Sequence, residues 1–372
     1  MIFNAFFYLI VNEIALPEGR QGEGERISVE NPSISRGEDM RVVNGSRGKV
    51  AIVALAGVMG FTSAALGAAS VAPEGKSVEG TTSVEVQSLK VEVSGRLGLG
   101  RLSGESNELV YTETGAKLSE LNWKLDNIYM LNGGVSVQPL SWLRLNADIW
   151  VALNDGDGTM DDYDWRFSGA DWSDWSHHED VPLDKGIMFD LNAELPFYRH
   201  QGTTFSGFVG VKRDNWKWDA YGGSYVYSVA GYRDASGTFP AGEPGISYEQ
   251  WWTVPYIGVG FTSKLTNWDL SGRVIASPFV QGEDEDIHHQ RNLRFEEDFD
   301  SSAMWSLDFA ATYHLLQNWG LTGAVKYQYY QEAKGSTTIT DLVSGQRWVI
   351  DGDAAGADNT ALLLSLSLAY SF

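Results

Sequence analysis

The feature that most limits this chain is a period-two alternation of apolar and polar residues, repeated in segments of about ten residues. The final stretch shows it most clearly: Leu362, Leu364, Leu366, Leu368, Tyr370 and Phe372 share one face, and Ser365, Ser367, Ala369 and Ser371 the other. Leu143, Leu145, Ala147, Ile149 and Val151 alternate in the same way with Arg144, Asn146, Asp148 and Trp150. So do Phe189, Leu191, Ala193, Leu195 and Phe197 with Asp190, Asn192, Glu194 and Pro196. Successive side chains of an extended chain point to opposite faces, so each segment reads as a strand with one apolar face. No helical period of comparable strength follows residue 90.

A soluble β-sandwich also alternates, but four further features favour a transmembrane β-barrel. The chain has 14 Trp, 16 Tyr and 16 Phe, it has no cysteine, and it ends on Phe372, which resembles the terminal signal of outer-membrane barrels. The fourth is an export signal. Arg41, Arg47 and Lys49 precede an apolar, Ala- and Gly-rich stretch at 50–69, and small residues crowd 64–72. The expected organisation is therefore an upstream extension at 1–39 from an over-long reading frame, with Met40 as the true start. A signal peptide at 40–70, a linker at 71–88 and the barrel at 89–372 follow. A genuine N-terminal extension or a single membrane anchor are the alternatives for the first segments.

Ten strands are expected, near 89–100, 120–131, 142–152, 187–197, 204–215, 251–262, 267–277, 303–314, 320–331 and 361–372. The connections then alternate between short (132–141, 198–203, 263–266, 315–319) and long (101–119, 153–186, 216–250, 278–302, 332–360). Short periplasmic turns and long extracellular loops are the habit of bacterial barrels. The fold class is thus all-β, a ten-stranded antiparallel transmembrane β-barrel with long extracellular loops, placed in the cell outer membrane. Net charge is −22. Removing residues 1–70 takes away six basic and seven acidic side chains, so the remainder still carries −21. That argues against nucleic acid as a partner and for cationic ones.

Within the long loops, Gly282-Glu-Asp-Glu-Asp-Ile-His-His289 joins an acidic run to two histidines, and Met160-Asp-Asp-Tyr-Asp-Trp-Arg166 supplies a second acidic run. Asp286 and His288 lie two apart, so in extended chain they share a face, where a carboxylate can orient an imidazole for general-base work. For any single one of these residues a solvated surface is the plainer reading; Asp-x-Asp and Asp-x-His at one end of the barrel carry the chemistry together. Asn154-Asp-Gly-Asp-Gly-Thr-Met-Asp-Asp162 fails the EF-hand spacing, because Met160 and Arg166 stand where glycine and glutamate are needed. No HExxH and no Gly-x-Ser-x-Gly is present, so no metal site or serine nucleophile is assigned.

From about Arg96 to Phe372 the chain resembles the omptins, ten-stranded outer-membrane aspartyl-type endoproteases of Gram-negative bacteria. The shared strings include Leu121-Asn-Trp-Lys-Leu125, Asp162-Tyr-Asp-Trp165, Gly222-Gly-Ser-Tyr-Val-Tyr-Ser228, Pro255-Tyr-Ile-Gly258 and Asp284-x-Asp-x-His288. The resemblance implies an Asp286–His288 dyad facing an Asp162 and Asp164 pair, with water held between His288 and Asp162 and no acyl-enzyme. It also implies an acidic pocket of Glu108 and Asp284 for the residue before the cut, and Asp174 for a basic residue after it. Cationic peptides and proteins, above all dibasic ones, are the implied substrates, with no cofactor.

Two departures stand out. His289 replaces the family's usual aromatic residue and places a second imidazole beside His288. Lipopolysaccharide is the family's activator and an outer-membrane lipid partner, but its site is not reproduced around Val211 to Asn215 and Trp251, although Lys212, Arg213 and Lys217 lie nearby. A catalytically silent barrel acting as an adhesin for cationic surfaces is the alternative function, and a porin is a third.

Overall fold

The computed structural model describes residues 91–167 and 169–372. The expected upstream extension, signal peptide and linker lie outside the described residues. Every regular element among the described residues is a β-strand. In chain order these are β1 (Glu92–Tyr111), β2 (Lys117–Leu140), β3 (Leu143–Ala152), β4 (Met160–Asp164), β5 (Asp174–His178), β6 (Leu183–His200) and β7 (Thr203–Tyr221). They continue with β8 (Ser224–Tyr227), β9 (Ala235–Thr238), β10 (Pro244–Lys264), β11 (Trp268–His288), β12 (Leu293–Phe299), β13 (Ser302–Leu316), β14 (Trp319–Asp341) and β15 (Arg347–Ser371).

Fifteen strands stand where ten were expected, and much of the expected long loops is strand. β1 runs to Tyr111, β11 to His288 and β14 to Asp341, well past the ends set by the apolar alternation. The reason is a change of solvent, not of backbone. Past the apolar segments the outward face meets water, so the alternation becomes polar against polar and drops out of a hydrophobic count.

All pairings are antiparallel. They run β1–β2–β3–β6–β7–β10–β11–β13–β14–β15 and return from β15 to β1. Near Ala152 the partner of β2 changes: β3 pairs it up to Met130, and β4 takes over from Trp123 to Ser119. From β4 the sheet continues through β5 and β8 to β9. Opposite this flap, β12 inserts between β11 and β14. The two insertions form a rim, and the opposite end carries the tight turns.

At the turn end, Gln201 and Gly202 both have positive φ (45° and 82°), the two-residue turn that matches strand twist, and Gly202 accepts it without a side-chain clash. Exposed Trp142, Tyr198, Trp268 and Trp319 ring that end. Exposed Tyr129, Phe279, Trp305 and Tyr329 form a second belt about ten residues further along their strands, the span of a membrane-crossing strand. Between the belts the outward residues are apolar, including Leu99, Leu191, Val209, Val259, Leu364 and Leu366. The interior is filled: Trp123, Trp216, Trp218, Trp252, Tyr248 and Tyr330 are fully buried, and Tyr248, Trp123 and Trp218 cluster mutually, with Tyr248 at centroid distances of 5.3 and 5.9 Å from the two tryptophans. That aromatic floor separates the rim from the lumen below and weighs against an open channel.

Candidate active site

Gly282 to His288 lies in β11, not in a loop as expected, and strand parity sorts it. Glu283, Glu285 and Ile287 face outward, whereas Asp284 and Asp286 are buried inward and His288 follows on their face. His288 Nε2 lies 2.6 Å from Asp286 Oδ2. With Nε2 committed to the carboxylate, Nδ1 is the nitrogen that can exchange a proton once the Arg291 guanidinium, which donates to it here, moves aside.

A four-residue turn, 289–292, joins β11 to β12, with Asn292 in the left-handed region at φ 54°. It turns the Arg291 guanidinium back onto the His288 ring, with one nitrogen 3.1 Å from Nε2 and also in contact with Nδ1. Arg291 was missed in the sequence. Burial pushes the His288 imidazole below its ordinary pKa, and Arg291 lowers it further against the pull of Asp286. His289 adds a weaker effect of the same sign. Its ring instead points to Ser247 Oγ at 2.7 Å, so Arg291, not His289, is the principal cation at the dyad.

Asp162 and Asp164 stand two apart on β4 and so share a face, anchored by pairing with Leu121 and Ser119 of β2. The Ser119 hydroxyl donates to Asp162 Oδ1 at 3.3 Å. Burial raises the Asp162 carboxyl well above the usual range, and Asp164 and Asp286 add repulsion while Arg291 opposes it. Asp164 is pushed up to about 6, by burial and then by Asp174. The influence of Asp286 and Arg291 on Asp162 joins the two acidic stretches in one site, although β4 and β11 are separated along the sheet. Tyr227 of β8 joins the same group: its hydroxyl pKa is raised by burial and then by Asp162 and Asp164.

Beneath the dyad, Glu108, Asp284 and Glu297 form an acidic pocket. Glu108 comes from β1, and its carboxyl is raised well above the ordinary value by burial and then by Asp286, Glu297 and Asp284. Asp284 is pushed up to about 8, chiefly by burial, although the Tyr248 hydroxyl donates to its Oδ2 at 2.8 Å. Glu297 is raised strongly by burial and then by Asp284. Glu297 was also missed, although Leu293, Phe295 and Phe299 share its parity on β12 and would have placed it inward.

Two expected positions differ. Asp174 neighbours Asp164 across the β4–β5 pair, but its carboxylate is already held: Arg166 donates to it at 2.5 and 2.7 Å and the Ser228 backbone N–H at 3.0 Å. Lys212, expected near the outer wall, is 2% exposed and donates inside the ring to Gln328 at 2.9 Å, with Asp214 at 3.2 Å. Strand parity decides this too, since Arg213 takes the outward place.

Comparison with known proteins bears on the chain as a whole. A family model described as the omptin family matches residues 89–372. The chain is similar to the plasminogen activator of Yersinia pestis, 34% identical over 275 residues that cover 73% of this chain and 87% of that protein. It is similar to the outer membrane protease OmpP of Escherichia coli strain K12, 30% identical over 286 residues, covering 76% and 90%. The crystal structure of the outer membrane protease OmpT from Escherichia coli aligns with a TM-score of 0.72 at 27% identity, covering 77% of this chain and 99% of that one.

Proposed function

The chain belongs to the omptin family, and on that premise we propose that it is an outer-membrane endopeptidase that cuts beside basic residues by activating water. The closed path of ten strands is the membrane-spanning barrel, and the rim with its site faces the extracellular side. The observation that carries the reading is the 2.6 Å Asp286–His288 contact with Asp162 and Asp164 on a separate wall of the same site.

Water between His288 and Asp162 attacks the scissile carbonyl and gives its proton to His288 Nδ1, which the Arg291 guanidinium must first vacate. Asp286 holds the ring and stabilises the imidazolium that forms. A lowered His288 pKa keeps the base neutral, and therefore competent, on the acid side of neutrality. Asp162 and Asp164 repel each other, so one of them keeps a proton and donates it as a hydrogen bond to the oxyanion. Collapse of the tetrahedral intermediate returns the His288 proton to the leaving amine. The protein forms no covalent bond to the substrate, and the steps need no cofactor.

Glu108 and Asp284 receive a lysine or arginine before the cut, and a neutral side chain would leave those acids unpaired. Asp174 favours a basic residue after the cut through its negative field, with Arg166 as the competitor a substrate cation must displace or share. Dibasic segments of cationic peptides are the expected substrates. Lipopolysaccharide is a candidate activator, with exposed Arg213 on the outer wall.

The deciding experiment is cleavage of a quenched fluorescent peptide containing Arg-Arg by refolded protein, with and without lipopolysaccharide. Cleavage in either arm supports the protease, and the difference between arms reports the lipid's role. A correctly folded protein silent in both arms would favour the adhesin, in which the same acids hold cationic surfaces without cutting them.

A further inference from the structure

The acidic pocket holds one more acid than the sequence reading assigned, and that acid is placed to choose between substrates. Glu297 of β12 lies directly opposite Asp284 of β11 in the ladder, so the two carboxylates stand side by side on one inward face. Glu108 reaches the same space from β1, and Tyr248 of β10 closes it from below. The relative exposures of Glu108, Asp284 and Glu297 are 3%, 4% and 5%.

Asp284 and Glu297 are close enough for one carboxyl, when protonated, to donate to the other, and apart from such a shared proton the buried oxygens Glu108 Oε2, Asp284 Oδ1 and Glu297 Oε2 meet no donor. Buried acceptors are normally satisfied, so three orphans around one space mark a place that a donor fills. The groups that bear most on Glu297 are Asp284 and Asp286 of β11 and Thr337 of β14, and none is a cation. Glu108 feels only carboxylates as well.

We infer that Glu297 is a specificity-determining residue of this pocket, a third acceptor around the bound basic side chain, and that it makes the pocket favour arginine over lysine. The inference rests on the protease reading above. Two carboxylates side by side offer a broad edge of acceptor oxygens. The planar guanidinium fork can meet that edge with two parallel N–H bonds and keep donors for Glu108, whereas an ammonium directs three donors from a single nitrogen. Adjacent buried acids cannot all be ionised without a counter-charge, so the vacant pocket keeps protons that an entering cation displaces.

The test compares matched peptides with Arg or Lys before the cut, using wild type, Glu297→Gln and Glu297→Asp, all as refolded full-length protein checked by heat-modifiable migration. Glu297→Gln keeps the size and removes the charge. It is expected to reduce the arginine-over-lysine ratio of kcat/KM by about tenfold, mainly through KM. Wild type is expected to show KM rising as pH falls, and in Glu297→Gln that rise should flatten because fewer protons are displaced. Glu297→Asp keeps the charge and restores most of the preference. An unchanged ratio, or an equal loss on both peptides with the pH slope intact, overturns the inference. If Glu297→Gln does not fold, Glu297→Asp decides alone, its shorter reach giving a ratio measurably below wild type or refuting the assignment. Wild type that cleaves neither peptide would defeat the protease reading itself, a separate outcome.

Discussion

Between the aromatic belts, Asp190 and Asp308 share Arg273 at 3.1 and 2.5 Å, the Tyr256 hydroxyl donates to Asp190 at 2.6 Å, and Asp214 holds Lys212. At the rim, Glu108, Asp284 and Glu297 are buried as deeply and have no cation at all. Both levels sit inside the same ring, yet one neutralises its carboxylates internally and the other leaves the work to a ligand. Burying an unpaired charge is costly, so the rim acids gain their affinity for cations from the same desolvation that raises their pKa values. The paired acids below have no such capacity left. Net charge alone would not distinguish the two levels; the location of the arginines and lysines does.

Four variants press on that contrast. The largest effect is expected from His288→Ala, which should lower kcat by about 10²–10⁴-fold while the protein still migrates as a folded barrel. Wild-type turnover by this variant would remove the dyad from the mechanism. Next is Arg273→Met, which removes the hydrogen-bonded cation shared by Asp190 and Asp308, leaves the more distant Lys326 at 3.9 Å from Asp308, and should cost about 1–3 kcal/mol of stability, read from urea midpoints. A change in arginine preference instead would mean that the two levels are not independent.

Third, Glu108→Ala with Asp284→Ala should weaken selection for Arg or Lys before the cut by about 10²-fold in kcat/KM, measured on matched peptides. The same double variant should gain stability under alkaline conditions relative to wild type. The folded Asp284 value, about 8, lies above the ordinary carboxylate value, so folding favours the protonated acid. That contribution is complete in acid and fades as pH rises through about 8, and a protein without these acids escapes the loss. The smallest effect is expected from Arg291→Ala. Removing a cation that lowers the His288 pKa lets it rise, so the acid limb of the kcat/KM profile should move to higher pH. A shift the other way would show that Arg291 acts through something other than charge.

How much of this could be read beforehand depended on what each strand face touches. Where the outer face meets lipid, as along Leu362 to Leu368, the alternation is apolar against polar and the strand is plain in the sequence. Where it meets water, as along Glu283, Glu285 and Ile287, the same backbone looks like a charge run in a loop. The residues proposed to be catalytic were still legible, because Asp-x-His and Asp-x-Asp keep their parity in either description. Arg291 and Glu297 were passed over, since in residue type they match their half-buried neighbours Arg294 and Glu296. Parity against Leu293 and Phe295 would have separated Glu297 from Glu296. The reach of Arg291 back to His288 depends on a turn conformation that composition does not encode.

The pairing of β1 with β15 has a consequence in time. Ser94 and Ser371 are partners in that ladder, so the ring shuts by joining the two ends of the described chain. Contacts between residues so far apart in sequence form late and slowly, because the loop they close must first give up its freedom. Glu108 sits on β1, one strand past that seam from β14 and β12, and Asp284 and Glu297 lie on the other side. Selectivity for a basic residue should therefore emerge last during refolding, after most of the sheet has already formed.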